Sequence, residues 1–182
     1  GFAEQQNEPK IEKGQLIQAP KIVRSSTTLD RIKNVKSVTI FEEDFESGLG
    51  LWTTSGSWEI GAPTSGPNSG HESVNCAATN LFGEYPNYSD DWLISPTIVL
   101  PGITHPSGEI KLYFWEWFSI ESGYDHGRVK ISTDGGSNWT EVSNRSGSSD
   151  WRETEIDLTS YENETIKIAF NFTSDYSYTY SG

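Results

Sequence analysis

The chain has 182 residues, 26 acids against 13 bases for a formal net charge of -13, and a single cysteine, Cys76. Such a charge repels phosphate backbones, which excludes nucleic acid as a natural partner and leaves divalent cations and basic proteins as what it would attract. One cysteine excludes an internal disulfide, no Cys/His cluster suggests zinc, and the lack of any run of about 18 apolar residues argues against membrane insertion.

Residues 1–36 contain one aromatic residue, two prolines and seven of the thirteen bases, and read as a leader, linker or extended arm that packs elsewhere. A short helix is conceivable around "TTLDRIKNV", with Thr28 or Asp30 as its cap. From residue 37 the pattern changes to short strands separated by turn-rich pieces such as "APTSGPNSG" and "TDGGSN". The high aromatic content, 13%, with 17 glycines and 8 prolines, suits a strand-and-turn chain with an aromatic core.

In "FEEDFESG", strand alternation would put Phe41, Glu43 and Phe45 on one face and Glu42, Asp44 and Glu46 on the other. An acid on the face of the rings then needs a partner. "EIKLYFWEWFSI" is apolar on both faces, as a central strand of a two-layer sandwich would be, and "ETIKIAFNF" alternates with Ile166, Ile168, Phe170 and Phe172 together. The expected class is all-β: an antiparallel β-sandwich or jelly roll over 37–182, preceded by the arm at 1–36.

Further along, Glu121 and Asp125 of "IESGYDHGRV" are placed to bind a cation or, more simply, to hydrogen-bond a turn. "TDGGSNW" lacks the alternate acids and closing Glu of an EF-hand and reads as a hairpin turn. Exposed aromatic rings stack on sugars or anchor protein contacts, and Tyr85, Tyr88 and Trp92 of the "GEYPNYSDDW" loop are the expected ligand-binding rings. His71, His105 and His126 lie in turn-like sequence, without HExxH, a nucleophile elbow or a phosphate loop, so no catalytic residue is assigned and an enzyme is not expected. Asn-X-Ser/Thr triplets begin at Asn87, Asn138, Asn144, Asn163 and Asn171, which mildly favours an extracellular glycoprotein.

The pieces "FEEDFESG", "WEIGAPTSGPNSG", "ATNLFGEYPNYSDDWLISPTIVLPG", "GYDHGRVKISTDGGSNWTEV" and "WRETEIDLTSYENETIKIAFNFTSD", in this order over about residues 38–180, resemble the MAM-like jelly-roll domain. Relatives of that kind include the cleaved-adhesin modules of gingipain-type proteases and the C-terminal domain of immune inhibitor A-type peptidases. The resemblance implies a secreted or cell-surface, calcium-stabilised adhesion or ligand-binding module. It places calcium at Glu43, Asp44 and Glu46, with Asp90 and Asp91 as partners from another loop. It also implies a further strand like "GWYIDDV", for which this sequence ends in "SYTYSG". An open edge would invite strand addition from another molecule, with "VKSVTIF" as donor. Expected partners are therefore an extracellular protein or glycan, or a second copy of the chain. The alternatives are a structural subunit joined by strand donation and a stand-alone carbohydrate-binding protein.

Overall fold

The computed structural model describes residues 15–27, 35–104 and 107–180; residues 28–34, where the short helix is expected, and His105 lie outside them. Two antiparallel sheets pack face to face. The first runs β11 (Ser148–Asp157), β8 (Glu109–Ser119), β1 (Gln15–Thr27), β5 (Cys76–Thr79), β4 (Trp58–Gly61), and β2 (Val35–Glu42) also pairs with β1. The second runs β10 (Thr140–Arg145), β9 (His126–Ser132), β12 (Thr165–Thr173), β6 (Asp90–Ile94), β3 (Thr53–Thr54), and β7 (Ile98–Val99) pairs with β12. A 3-10 turn at Thr159–Tyr161 is the sole helical element among the described residues, and none of them forms a helix able to cross a membrane.

Alternation builds the core. Ile166, Ile168, Phe170 and Phe172 of β12 are all fully buried and meet Ile110, Leu112 and Phe114 of β8, with Phe114 and Phe170 ring centroids 5.1 Å apart. The opposite face of β8 is apolar too: Trp117 packs with Cys76, Ala78 and Leu81 in a second cluster that Trp151 covers. Burial pushes the Cys76 thiol up to about 12, so it behaves as a small hydrophobe.

The N-terminal region joins the sandwich. The arm at 1–36, expected to pack elsewhere, contributes over Gln15–Thr27 a strand set between β8 on one side and β5 and β2 on the other, with Ile17 and Ile22 fully buried. The segment "VKSVTIF", expected as a donor to another molecule, pairs within its own chain against β1. In "FEEDFESG" the strand ends at Glu42, and Phe45 adopts φ 61, which turns its ring into the core against Trp52 (5.5 Å). Strand alternation therefore stops before Glu43, and the acids there serve a turn: Glu43 Oε1 accepts from Phe45 N (3.0 Å) and Asp44 Oδ1 from Glu46 N (2.9 Å).

Candidate functional site

At one end of the sandwich three carboxylates converge from distant parts of the chain. Glu121 follows β8, Asp125 precedes β9, and Asp175 follows β12. One carboxylate oxygen from each lies within 4.8 Å of the others, and among the described residues no other three His, Cys, Asp or Glu side chains meet in this way.

The loops fix this geometry. Asp125 is fully buried; its Oδ2 accepts from the Tyr85 hydroxyl (2.5 Å) and its Oδ1 from Asp175 N (2.9 Å). The Tyr85 hydroxyl in turn accepts from Glu121 N (3.3 Å), and Glu121 O accepts from Asp125 N (3.0 Å). Asp175 Oδ1 accepts from Ser177 N (2.9 Å), and backbone bonds from Tyr88 N to Asp175 O (2.7 Å) and Tyr85 N to Tyr180 O (2.9 Å) tie this stretch to the 85–89 loop.

The electrostatics are unbalanced. Burial first, then the charges of Asp175 and Asp125, raise the Glu121 carboxyl above its usual range. Burial, reinforced by Asp125, likewise holds the Tyr85 hydroxyl far above the ordinary phenol range, so it remains a donor. Glu121 Oε2 is shielded from solvent and has no hydrogen-bond partner. A shielded, unpartnered carboxylate oxygen beside two further carboxylates fits a hard divalent cation, which gathers oxygens and relieves their repulsion. Glu121, Asp125 and Asp175 can therefore hold a metal ion.

The five acids expected to hold calcium are not brought together in this way. Glu46 Oε1 accepts from Val74 N (3.0 Å) and Asn75 N (2.8 Å), bracing the 43–50 turn against a neighbouring loop. Asp90 Oδ1 accepts from Trp92 Nε1 and from Asn171 Nδ2, both at 2.9 Å. Asp91, 6% exposed, accepts from Ser57 N (3.0 Å) and the Ser57 hydroxyl, and so pins the turn between β3 and β4, which crosses from one sheet to the other, to β6.

The three expected ligand-binding rings are also separated. Tyr85, 1% exposed, belongs to the core against Phe172 (4.7 Å), which corrects its place on a surface. Tyr88 is exposed, whereas the Trp92 ring is covered by Lys130 Nζ at 4.5 Å and neighboured by Trp139 at 5.6 Å. Among the remaining features, His71 stacks on Trp115 at 3.5 Å, and His126 Nδ1 meets Asn144 Oδ1 at 2.9 Å. The sequon at Asn171 is buried beneath Asp90 and Asp91, so it is closed to glycosylation in the folded chain.

Glu121 and Asp125 are legible as a pair from their spacing. Asp175 is not, because it reaches them only through the pairing of β12 with β9.

No family model matches this chain. It is similar to bacillopeptidase F of Bacillus subtilis (strain 168), 36% identical over 141 residues, which is 75% of this chain and 10% of that protein. The chain thus spans about a tenth of the length of the relative it matches.

Proposed function

We propose that the chain is an extracellular, non-catalytic accessory module of a larger secreted protein of peptidase type, of the MAM-like, cleaved-adhesin kind, stabilised by calcium and acting in adhesion or ligand binding. The observation that carries this reading is the similarity itself: an all-β sandwich matches a stretch one tenth as long as a named peptidase. A module of that size beside a much longer protein supports an attached role over an independent one. Fold alone would not supply it.

Calcium enters through the site. Glu121, Asp125 and Asp175 would supply carboxylate oxygens, with backbone carbonyls and water completing the six to eight oxygens such an ion takes. When bound, the ion neutralises the converging charge and cross-links the 85–89, 121–125 and 175–180 segments. Its role is structural, and the ligand of the module is read by other surfaces.

The test is a thermal melt of the metal-stripped chain with and without millimolar calcium. Saturation at 100 times the dissociation constant adds about 2.7 kcal/mol, a rise of roughly 5 to 11 °C for a domain of this size. Glu121→Gln and Asp175→Asn should abolish the rise, while Asp44→Asn and Glu46→Gln should leave it intact. No rise, or one lost in the second pair and kept in the first, overturns the assignment.

A second reading, a subunit joined by strand addition, draws on β2, which among the described residues has β1 on one side and no strand on the other. Light scattering of the intact chain separates the two: a monomer favours the accessory module, a concentration-dependent oligomer the strand-joined subunit.

A further inference from the structure

A second feature lies on the outer face of the first sheet. β1 loses register with β8 between Gln18 and Lys21, where Pro20 offers no N–H to the ladder. A bulge bends its strand away from its neighbours. Beside this one lies a groove of about 540 Å³, lined by Tyr113, by Trp115, one face of which His71 covers, and by Glu42, Glu43, Asp44 and Glu153, with Lys21 as the one base among its described lining residues.

Register explains why these groups meet. Glu42 stands opposite Lys21, Lys21 opposite Tyr113, and Glu153 opposite Trp115, so the groove crosses β2, β1, β8 and β11. Lys111, two residues from Tyr113 on β8, is already engaged, pairing with Glu109 (3.1 Å) and Glu155 (2.6 Å). Among the described residues, Glu42 and Glu153 take part in no ion pair. Glu43 and Asp44 each use one oxygen on a backbone N–H of their own turn, which leaves the second for a ligand.

The charge calls for a cation, and its spacing decides which kind. No three acids of the groove come within 4.8 Å of one another as Glu121, Asp125 and Asp175 do, so they are too dispersed to gather round one hard metal ion. A guanidinium spreads five N–H donors over a flat fork that reaches separated carboxylates and stacks on aromatic faces. The outer edge of β2 borders the groove and carries no strand among the described residues, so an extended backbone can lie along it.

We propose that this groove is a docking site for an arginine side chain presented by an extended basic segment of a partner protein. The site is independent of the calcium cluster and of whether the chain is attached to a peptidase.

The experiment is calorimetric titration of the intact chain, in millimolar calcium throughout, with an acetylated and amidated Thr-Arg-Thr-Arg peptide, beside its Lys counterpart. The Arg peptide should bind, and the Lys peptide should bind severalfold more weakly because an ammonium lacks the planar fork. Glu42→Gln and Glu153→Gln, both at exposed positions, should each weaken the Arg peptide by about threefold to tenfold, since each removes a charge-assisted contact. Glu164→Gln, on the loop before β12 of the other sheet, should leave it unchanged. Absence of binding, equal affinity for the two peptides, or an equal loss in Glu164→Gln would each overturn the proposal, the last two by reducing the interaction to diffuse charge.

Discussion

Glu116 offers the sharpest test of how the two sheets are held together. Its carboxylate is 1% exposed, and Oε1 accepts from Arg145 Nε (2.7 Å), Arg152 Nε (3.0 Å), Arg152 Nη2 (2.9 Å) and the Thr154 hydroxyl (2.5 Å). Arg152 and Thr154 belong to β11 in the same sheet, whereas Arg145 ends β10 in the other. Glu116→Ala strands both guanidiniums, but not equally. The Arg152 side chain is 44% exposed and regains water on its own, whereas Arg145, at 20%, stays largely dehydrated. Breaking a buried pair costs about 3 to 5 kcal/mol, and the rehydration of Arg152 puts this one near the lower end, about 3 kcal/mol. That is a large share of a stability of roughly 5 to 15 kcal/mol. Urea unfolding of Glu116→Ala, Arg145→Ala, Arg152→Ala and the two double variants measures it. The Glu116 and Arg145 pair should couple by about 2 kcal/mol and the Glu116 and Arg152 pair by about half as much. A loss under about 1 kcal/mol in Glu116→Ala, or stronger coupling to Arg152 than to Arg145, would refute the dehydration argument.

Gly56 has φ 67, and a Cβ there would overlap the Asp91 carboxylate, so Gly56→Ala should cost about 2 to 4 kcal/mol by adding backbone strain to the loss of the Ser57 bonds. Gly48→Ala, at φ 86 but facing open space, should cost about 1 kcal/mol, and equal losses in chemical denaturation would contradict the clash. The Asp134 carboxyl is lowered to about 2, chiefly by Asn138 N–H and then by the Asn138 and Ser132 side chains. A carboxyl depressed in the folded state contributes stability above its ordinary value and loses it as pH falls toward the folded one. The melting temperature should therefore fall more steeply in wild type than in Asp134→Ala as pH drops from about 4 to about 2, and parallel slopes would argue against that contribution.

The strands of the second half were legible because each carries its own evidence. β12 alternates cleanly, and β8, apolar on both faces, does cover one cluster with each. β1 was obscured for a physical reason: Pro20 and the register break divide its alternation, and its partners in β8 lie far along the chain. "FEEDFESG" misled because alternation holds only while the backbone stays extended, and at the left-handed turn at Phe45 the ring is buried while Glu43 and Asp44 bond the turn's own backbone. At the site, the spacing of Glu121 and Asp125 showed a local pair. Nothing local marked Asp175, nor told that Tyr85 of an aromatic loop points inward while Tyr88 points out.

The place of β1 also sets a timetable for synthesis. It is the first described strand to leave the ribosome, yet Lys21 must wait for Tyr113 and Arg24 for Ile110 before its inner ladder can form. At about 5 to 20 residues per second, that interval lasts roughly 5 to 20 seconds. During it the early hairpin with β2 can close, but the apolar side chains of Ile17 and Ile22 have no β8 to cover them. Long-range closure of this kind slows folding and prolongs exposure to aggregation. The strand that completes the sheet's centre is thus the one the nascent chain must carry unprotected for longest.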